Sequence, residues 1–272
     1  MSSVAPPTSA IYRWQDGELE LLDYCDMSET AIDAADSWFV SDGRTLAIAL
    51  HRARFGGAIA STVRDDIELD VDGFWNAVLA AIPREGDWFP RVELQSRRGV
   101  PLLVFRQRSA PERNLSLTLA THRGADPRTQ PTVKGPDLDA MLRLRTEAQR
   151  RGAGDAVILS PEGFVVEGTT TALLWWRGDA LCAPADELER VDSVTAKTVL
   201  TLAGVLGIEV LHEAVTPDDL EGLELWALNA LHGIRIVTAW IDGPQPAEEP
   251  GRLALWRNRL DRLARPMVTI DS

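Results

Sequence analysis

The feature that most restricts this chain is a break in its middle. Residues 122–133 hold a glycine, two prolines and several polar side chains, and no apolar repeat runs through them. Such a stretch supports neither a helix nor a strand and reads as an inter-domain linker. It divides the chain into residues 1–121, a smaller N-terminal domain, and residues 134–272, a larger C-terminal one. A length of 272 residues suits two domains, each of roughly 100–150 residues. Apolar residues make up 45%, enough for a sizeable core.

Turn signals and periodicity place the elements on each side. In the first block, Asp16-Gly17 lies between the apolar runs 10–14 and 18–22, the signature of a hairpin. Ser41-Asp42-Gly43 repeats it between 38–40 and 45–48. Residues 50–60 read as a helix with His51, Arg54 and Phe55 on adjoining turns. Residues 72–82 read as a second, with Asp72 as its N-cap and Phe74, Val78, Leu79 and Ile82 at helical spacing. Strands follow at 91–94, 101–106 and 115–121. In the second block, residues 138–151 form a charged helix anchored by Leu142 and Leu144. Strands are expected at 156–159, 165–166, 171–176, 208–213, 223–228 and 236–241. Helices are expected at 194–206, with Ser193 as N-cap and Gly207 past its end, and at 253–262. This is an α+β protein with two unequal sheets.

Charge and cysteines exclude several function classes. The formal net charge is −13, which argues against nucleic acid or an anionic membrane as partner, since both attract basic surfaces. Cys25 and Cys182 are far apart and suggest neither a zinc site nor a disulfide scaffold. Both read as buried thiols, and no metal is expected. Residues 1–7 lack the basic and apolar regions of a signal peptide. No apolar run reaches the roughly 18 residues of a membrane span, so the expected location is cytoplasmic. There are four histidines and no serine in a G-x-S-x-G elbow, which argues against a serine hydrolase.

The candidate chemistry lies in residues that are weak signals singly. Lys134 follows the break directly, and Glu167 stands 33 positions later at the end of a short apolar strand. His51 and Arg54 are three apart and share a helix face, where an arginine fork suits a phosphate dianion. The helix start Ser193-Val194-Thr195 offers unpaired N–H groups and the positive end of a dipole to an anion. Asn229-Ala230 begins a turn that ends at Gly233. Arg106 and Arg108 alternate on a strand and share one of its faces.

Taken in order, the His51-x-x-Arg54-Phe55 motif, Lys134, Gly163…Glu167, the Val194-Thr195 helix start, Gly207-Ile208-Glu209-Val210 and Asn229-Ala230 resemble the class IV aminotransferase family. Asp36-Ser37-Trp38-Phe39 loosely matches a further family segment. The resemblance covers roughly residues 10–245. It implies the fold-type IV architecture of pyridoxal phosphate (PLP) enzymes, a smaller N-terminal α/β sandwich with a larger β-barrel-like C-terminal domain, and a homodimer. It implies that Lys134 is the Schiff-base lysine and proton shuttle, and that Glu167 partners the pyridine nitrogen. Arg54 with the N–H groups of Val194 and Thr195 would hold the phosphate, and Asn229 and Ala230 would add contacts. Arg106 or Arg108 would meet a substrate carboxylate.

Four departures bear on substrate. Ala196 stands where an Arg is common. Leu138 and Asp139 stand where typical transaminases carry a Tyr. Val40 follows Phe39 where Glu or Thr is usual, and Ala35 and Ser37 replace a glycine pair. The missing Tyr, with Leu228-Asn229-Ala230-Leu231 and the 170–175 strand, favours a lyase like aminodeoxychorismate lyase, which releases pyruvate. A transaminase acting on an amino acid and a 2-oxo acid, of D-amino acid or branched-chain type, is the alternative. A catalytically divergent relic of the fold is a third reading.

Overall fold

The structure, a computed structural model, describes residues 9–22, 30–64 and 66–267. Cys25 and residues 1–7, on which two of the expectations above rest, lie outside the described residues. The chain forms two compact units. One comprises Met1–Glu112, Lys134–Pro136 and Leu263–Ser272, and the other Arg113–Val133 and Asp137–Arg262.

In the first unit the Asp16-Gly17 hairpin forms as its sequence dictates. Strands β1 (Ser9–Gln15) and β2 (Glu18–Leu21) pair with Gln15 opposite Glu18. Asp16 and Gly17 take φ of 52° and 81°, the left-handed pair that such a two-residue turn needs. With β3 (Thr30–Ser37), β7 (Arg91–Arg97) and β8 (Val100–Arg108) they make a five-stranded antiparallel sheet in the order β2-β1-β8-β7-β3. The second hairpin shrinks to β4 (Val40–Ser41) and β5 (Arg44–Thr45), which join β6 (Asp87–Trp88) and β17 (Arg265–Pro266) in a small sheet.

Helix α1 (Ile48–Thr62) buries His51, Phe55 and Ile59. Helix α2 (Val71–Ala81) buries Phe74, Trp75, Val78 and Leu79, and the rings of Trp38 and Trp75 lie 5.1 Å apart. Full burial of each such side chain stabilises the unit by about 2–3 kcal/mol. The cap of α2 is Asp70, not Asp72: Asp70 accepts from the N–H of Gly73 at 2.8 Å, whereas Asp72 is exposed and pairs with Arg52. The helix starts one residue earlier than its apolar spacing suggests.

The second unit is built on an eight-stranded mixed sheet, ordered β11-β10-β9-β16-β15-β12-β13-β14. Its strands are β9 (Ser116–Thr121), β10 (Asp155–Leu159), β11 (Val165–Gly168), β12 (Ala172–Arg177), β13 (Ala180–Pro184), β14 (Val210–Glu213), β15 (Glu224–Asn229) and β16 (Gly233–Ile241). The sheet curls into a half-barrel. Leu117, Leu119, Val157, Leu173, Trp175, Ala227 and Val237 pack into one core. Helix α3 (Leu138–Arg150) covers another with Met141, Leu144 and Ala148. Leu142, expected as an anchor, is 60% exposed. Positions 141, 144 and 148 set the buried stripe, and 142 falls one step round the helix from it. Helices α4 (Val194–Val205) and α5 (Arg252–Asp261) complete the unit. Trp176, Trp226 and Trp256 meet with ring centres 5.4–5.6 Å apart, so Trp175, Trp176 and Trp226 are all core residues.

The compact units divide differently from the expected bounds. β9, expected in the first domain, is a central strand of the second sheet, parallel to both β10 and β16. Residues 113–133 follow it into the second unit, and Lys134–Pro136 group with the first. Parallel partners distant in sequence leave no local mark on a strand. Among the described residues, no helix is long and apolar enough to cross a membrane.

Candidate active site

In the first unit the expected phosphate arginine is already engaged. Arg54 donates from Nε to Oδ2 of Asp36 and from Nη2 to Oδ1, both at 2.9 Å. His51, one turn earlier on α1, meets Oδ1 through Nδ1 at 2.7 Å. Asp36 has no exposed surface. Burial alone would raise its pKa, but the charges and hydrogen bonds of His51 and Arg54 prevail and hold it below the usual carboxylate range. The helix spacing that brings His51 and Arg54 together therefore serves Asp36 first, and Asp36 is a residue the sequence left without a role of its own.

Lys134 is half-buried, and its carbonyl accepts from the N–H of Ala35 on β3 at 2.6 Å. Asp137, at the head of α3, accepts from Thr129 N–H, Thr129 Oγ1 and Gln130 N–H at 2.8–2.9 Å, pinching the loop that carries the lysine. The two strand arginines differ. Arg106 donates through Nε to Glu93 at 2.8 Å, a buried carboxylate also paired with Arg91 and Gln95. Arg108 gives its Nε to the carbonyl of Phe89 at 3.1 Å and lies over that ring. Burial and the neighbouring Arg91 push its pKa down to about 10, with Arg106 adding to the effect against the opposing pull of Glu93.

In the second unit Glu167 is buried on β11, and its Oε1 accepts from Nη1 of Arg128 and, at 3.5 Å, from the N–H of Val191. Arg128 also grips Asp126 through Nε and Nη2 and reaches the carbonyl of Glu189. Its side chain is only 4% exposed. Burial opposes its charge, but the hydrogen bonds of Asp126 and the charge of Glu167 raise its pKa. Arg128 is the residue that sequence reasoning missed. It lies in the stretch read as a linker, and the Asp126-x-Arg128 pair six residues before the lysine was the only signal.

After Glu167 the chain is pinned by Asp155, buried at the start of β10. Its carboxylate accepts from the hydroxyls of Thr169, Thr170 and Thr171. Asn229 fastens the next turn to this run, donating from Nδ2 to the carbonyl of Thr170 at 3.2 Å and accepting the N–H of His232 at 2.8 Å. Its side chain is thus used inside the turn, which leaves the backbone of Ala230 as that segment's candidate donor. Ser193 caps α4 by accepting from Ala196 N–H at 3.3 Å. Val194 and Thr195 are 3% and 2% exposed, and as the first residues of the helix their N–H groups have no intrahelical acceptor.

The class IV aminotransferase family matches over residues 33–240, and the chain belongs to that family. Its members are PLP-dependent enzymes. A branched-chain-amino-acid aminotransferase of Pseudomonas aeruginosa is 29% identical over 92 residues, which are 34% of this chain and 29% of that protein. The curated relatives that match do so over 27–38% of their own length. The fold IV transaminase CpuTA1 of Curtobacterium pusillum has a TM-score of 0.79 at 19% identity, over 93% of this chain and 97% of its own. A Legionella pneumophila protein provisionally described as a 4-amino-4-deoxychorismate lyase has a TM-score of 0.72 at 16% identity, over 85% and 91%. The residues present fit PLP. The first unit holds a lysine and, on Asp36, an arginine fork that suits a phosphate; the second holds a buried helix start whose first N–H groups favour an anion and a buried carboxylate that suits a pyridinium nitrogen.

Proposed function

We propose that this enzyme removes the proton from the amine-bearing carbon of a carboxylate-carrying substrate and releases pyruvate, as 4-amino-4-deoxychorismate lyases do. The observation that carries the Cα step is the buried Glu167, whose oxygen is held by Arg128 and by a backbone N–H. When bound, PLP supplies an electron sink for the carbon that loses its proton. Lys134 carries the cofactor, then takes that proton and delivers it. Glu167 holds a proton at the pyridine nitrogen. Arg54, the N–H groups of Val194 and Thr195 and the backbone of Ala230 receive the phosphate. Arg108 is the better candidate for a substrate carboxylate, because Arg106 is committed to Glu93.

The lyase is favoured by the Asn229-Ala230-Leu231 turn, tied by Asn229 to the threonine run behind Glu167, and by Leu138 and Asp139 in place of a tyrosine. In that reaction the ether bond to the enolpyruvyl group breaks as the proton leaves the ring carbon. The ring becomes 4-aminobenzoate, and the enolpyruvate takes a proton to give pyruvate. The second reading, amino transfer to a 2-oxo acid, rests on the curated relatives named branched-chain aminotransferases. The working form is a homodimer, as the family resemblance implies.

The test incubates the PLP-loaded protein with 4-amino-4-deoxychorismate and follows pyruvate, beside an assay of amino transfer from D- and L-amino acids to 2-oxoglutarate. Pyruvate release that vanishes in Lys134→Ala supports the lyase. Transfer without pyruvate release replaces it with the second reading. Neither product, in a protein that binds PLP through Lys134, makes the chain a divergent relic.

A further inference from the structure

We infer that residues 34–36, the end of β3, are a positioning platform that sets both Lys134 and Arg54. The inference rests on the roles proposed above for those two residues. β3 is an edge strand of its sheet, and two successive residues of it face in different directions. The N–H of Ala35 holds the carbonyl of Lys134 at 2.6 Å. The side chain of Asp36 turns to α1 and takes two nitrogens of Arg54 at 2.9 Å, with His51 on the same carboxylate at 2.7 Å.

Two features show that the arrangement is built rather than incidental. Asp36 is wholly buried, so its cost of desolvation must be met by these partners. A bidentate pair also fixes the plane of the guanidinium, and this one is made through Nε and Nη2. Gly135, beside the lysine, has φ of 143°, and a Cβ there would lie 2.6 Å from Cα of Ala34 and 2.8 Å from N of Ala35. Those are backbone atoms of a paired strand and cannot step aside. Glycine at 135 is therefore what lets the lysine's main chain reach β3. One short strand segment holds the main chain of the lysine and the head group of the arginine. Asp36 and Gly135 are positioning residues and touch no substrate.

The test compares binding of PLP with that of pyridoxal, which lacks the phosphate, by titrating the visible band that the lysine gives with either aldehyde. Arg54→Gln is the reference and should weaken PLP about 10- to 100-fold while leaving pyridoxal within about twofold. Asp36→Asn should reproduce that selective loss, and the double variant should lose little more than either alone. His51→Gln, a milder change at the same carboxylate, should give a smaller selective loss and serves if Asp36→Asn does not fold. Gly135→Ala should weaken both aldehydes, since it moves the lysine. If Arg54→Gln shows the selective loss while Asp36→Asn and His51→Gln leave the PLP-to-pyridoxal ratio unchanged, or if Gly135→Ala binds both normally, the platform is overturned. If Arg54→Gln itself leaves the ratio unchanged, the proposed role of Arg54 fails, and the platform falls with it.

Discussion

Both units bury an arginine against a carboxylate, and the two pairs run in opposite senses. In the first unit the carboxylate is the fully buried partner, and Arg54, with a side chain 17% exposed, is the group it steers. In the second the arginine is the more buried partner at 4%, and Glu167 at 10% is the group it steers. A buried ion pair is a weak source of net stability, because desolvation offsets most of the attraction. Its use is geometric. Each hidden charge fixes the direction of a more exposed charge of opposite sign. The same contact type thus occurs in both units, with the more deeply buried member a carboxylate in one and a guanidinium in the other.

The largest effect should come from removing a hidden charge. Arg128→Met removes the guanidinium that the buried Glu167 accepts from and should destabilise the cofactor-free protein by about 3–5 kcal/mol in urea unfolding. Adding Glu167→Gln should recover part of that loss. Arg54→Met should cost less, about 2–3 kcal/mol, because His51 still serves Asp36. Equal costs would erase the distinction drawn between the pairs.

Acid separates the units next. His232 of the second unit is held down to about 4 by burial first and then by Arg235, Arg113, Arg145 and Arg257. Its folded pKa lies below its unfolded one, so the unfolded chain binds more protons in that interval. Stability should therefore fall by roughly 2–3 kcal/mol as pH drops from about 6.5 to 4. His232→Gln should flatten that slope. Asp36, held below the usual carboxylate range, keeps its contribution through the same window and loses it only as pH falls through its lowered value. A pH slope unchanged by His232→Gln would show that the second unit's acid response has another source.

The arginines of β8 come third. Arg108→Gln should raise KM about 10- to 100-fold with kcat nearly unchanged, while Arg106→Gln should lower stability and leave KM within a few-fold. The reverse pattern would exchange their roles. Smallest, Asn229→Ala should cost about 1–2 kcal/mol for two hydrogen bonds, measured as a shift in thermal midpoint without loss of the Lys134 band.

How much was legible in the sequence depended on the range of the interaction. The Asp16-Gly17 hairpin and the Ser193 cap were read correctly because each is settled within four residues. The cap of α2 slipped by two positions, since Asp70 and Asp72 are both competent and only the helix start chooses between them. Leu142 failed because its helix has several apolar phases and only the sheet beneath selects one. β9 looks like any short strand, and nothing in its own residues names Ile236 or Leu119's partner Asp155 as its neighbours.

By itself the sequence determined the kinds of local element, the order in which the candidate groups occur, and the family to which those groups belong. Only the tertiary structure decided which acid meets which arginine. Asp36 and Arg54 are 18 positions apart, and Arg128 and Glu167 are 39. Turn chemistry and helical or strand periodicity act over a few residues, whereas an ion pair forms wherever strand pairing and helix packing bring two charges out of water together.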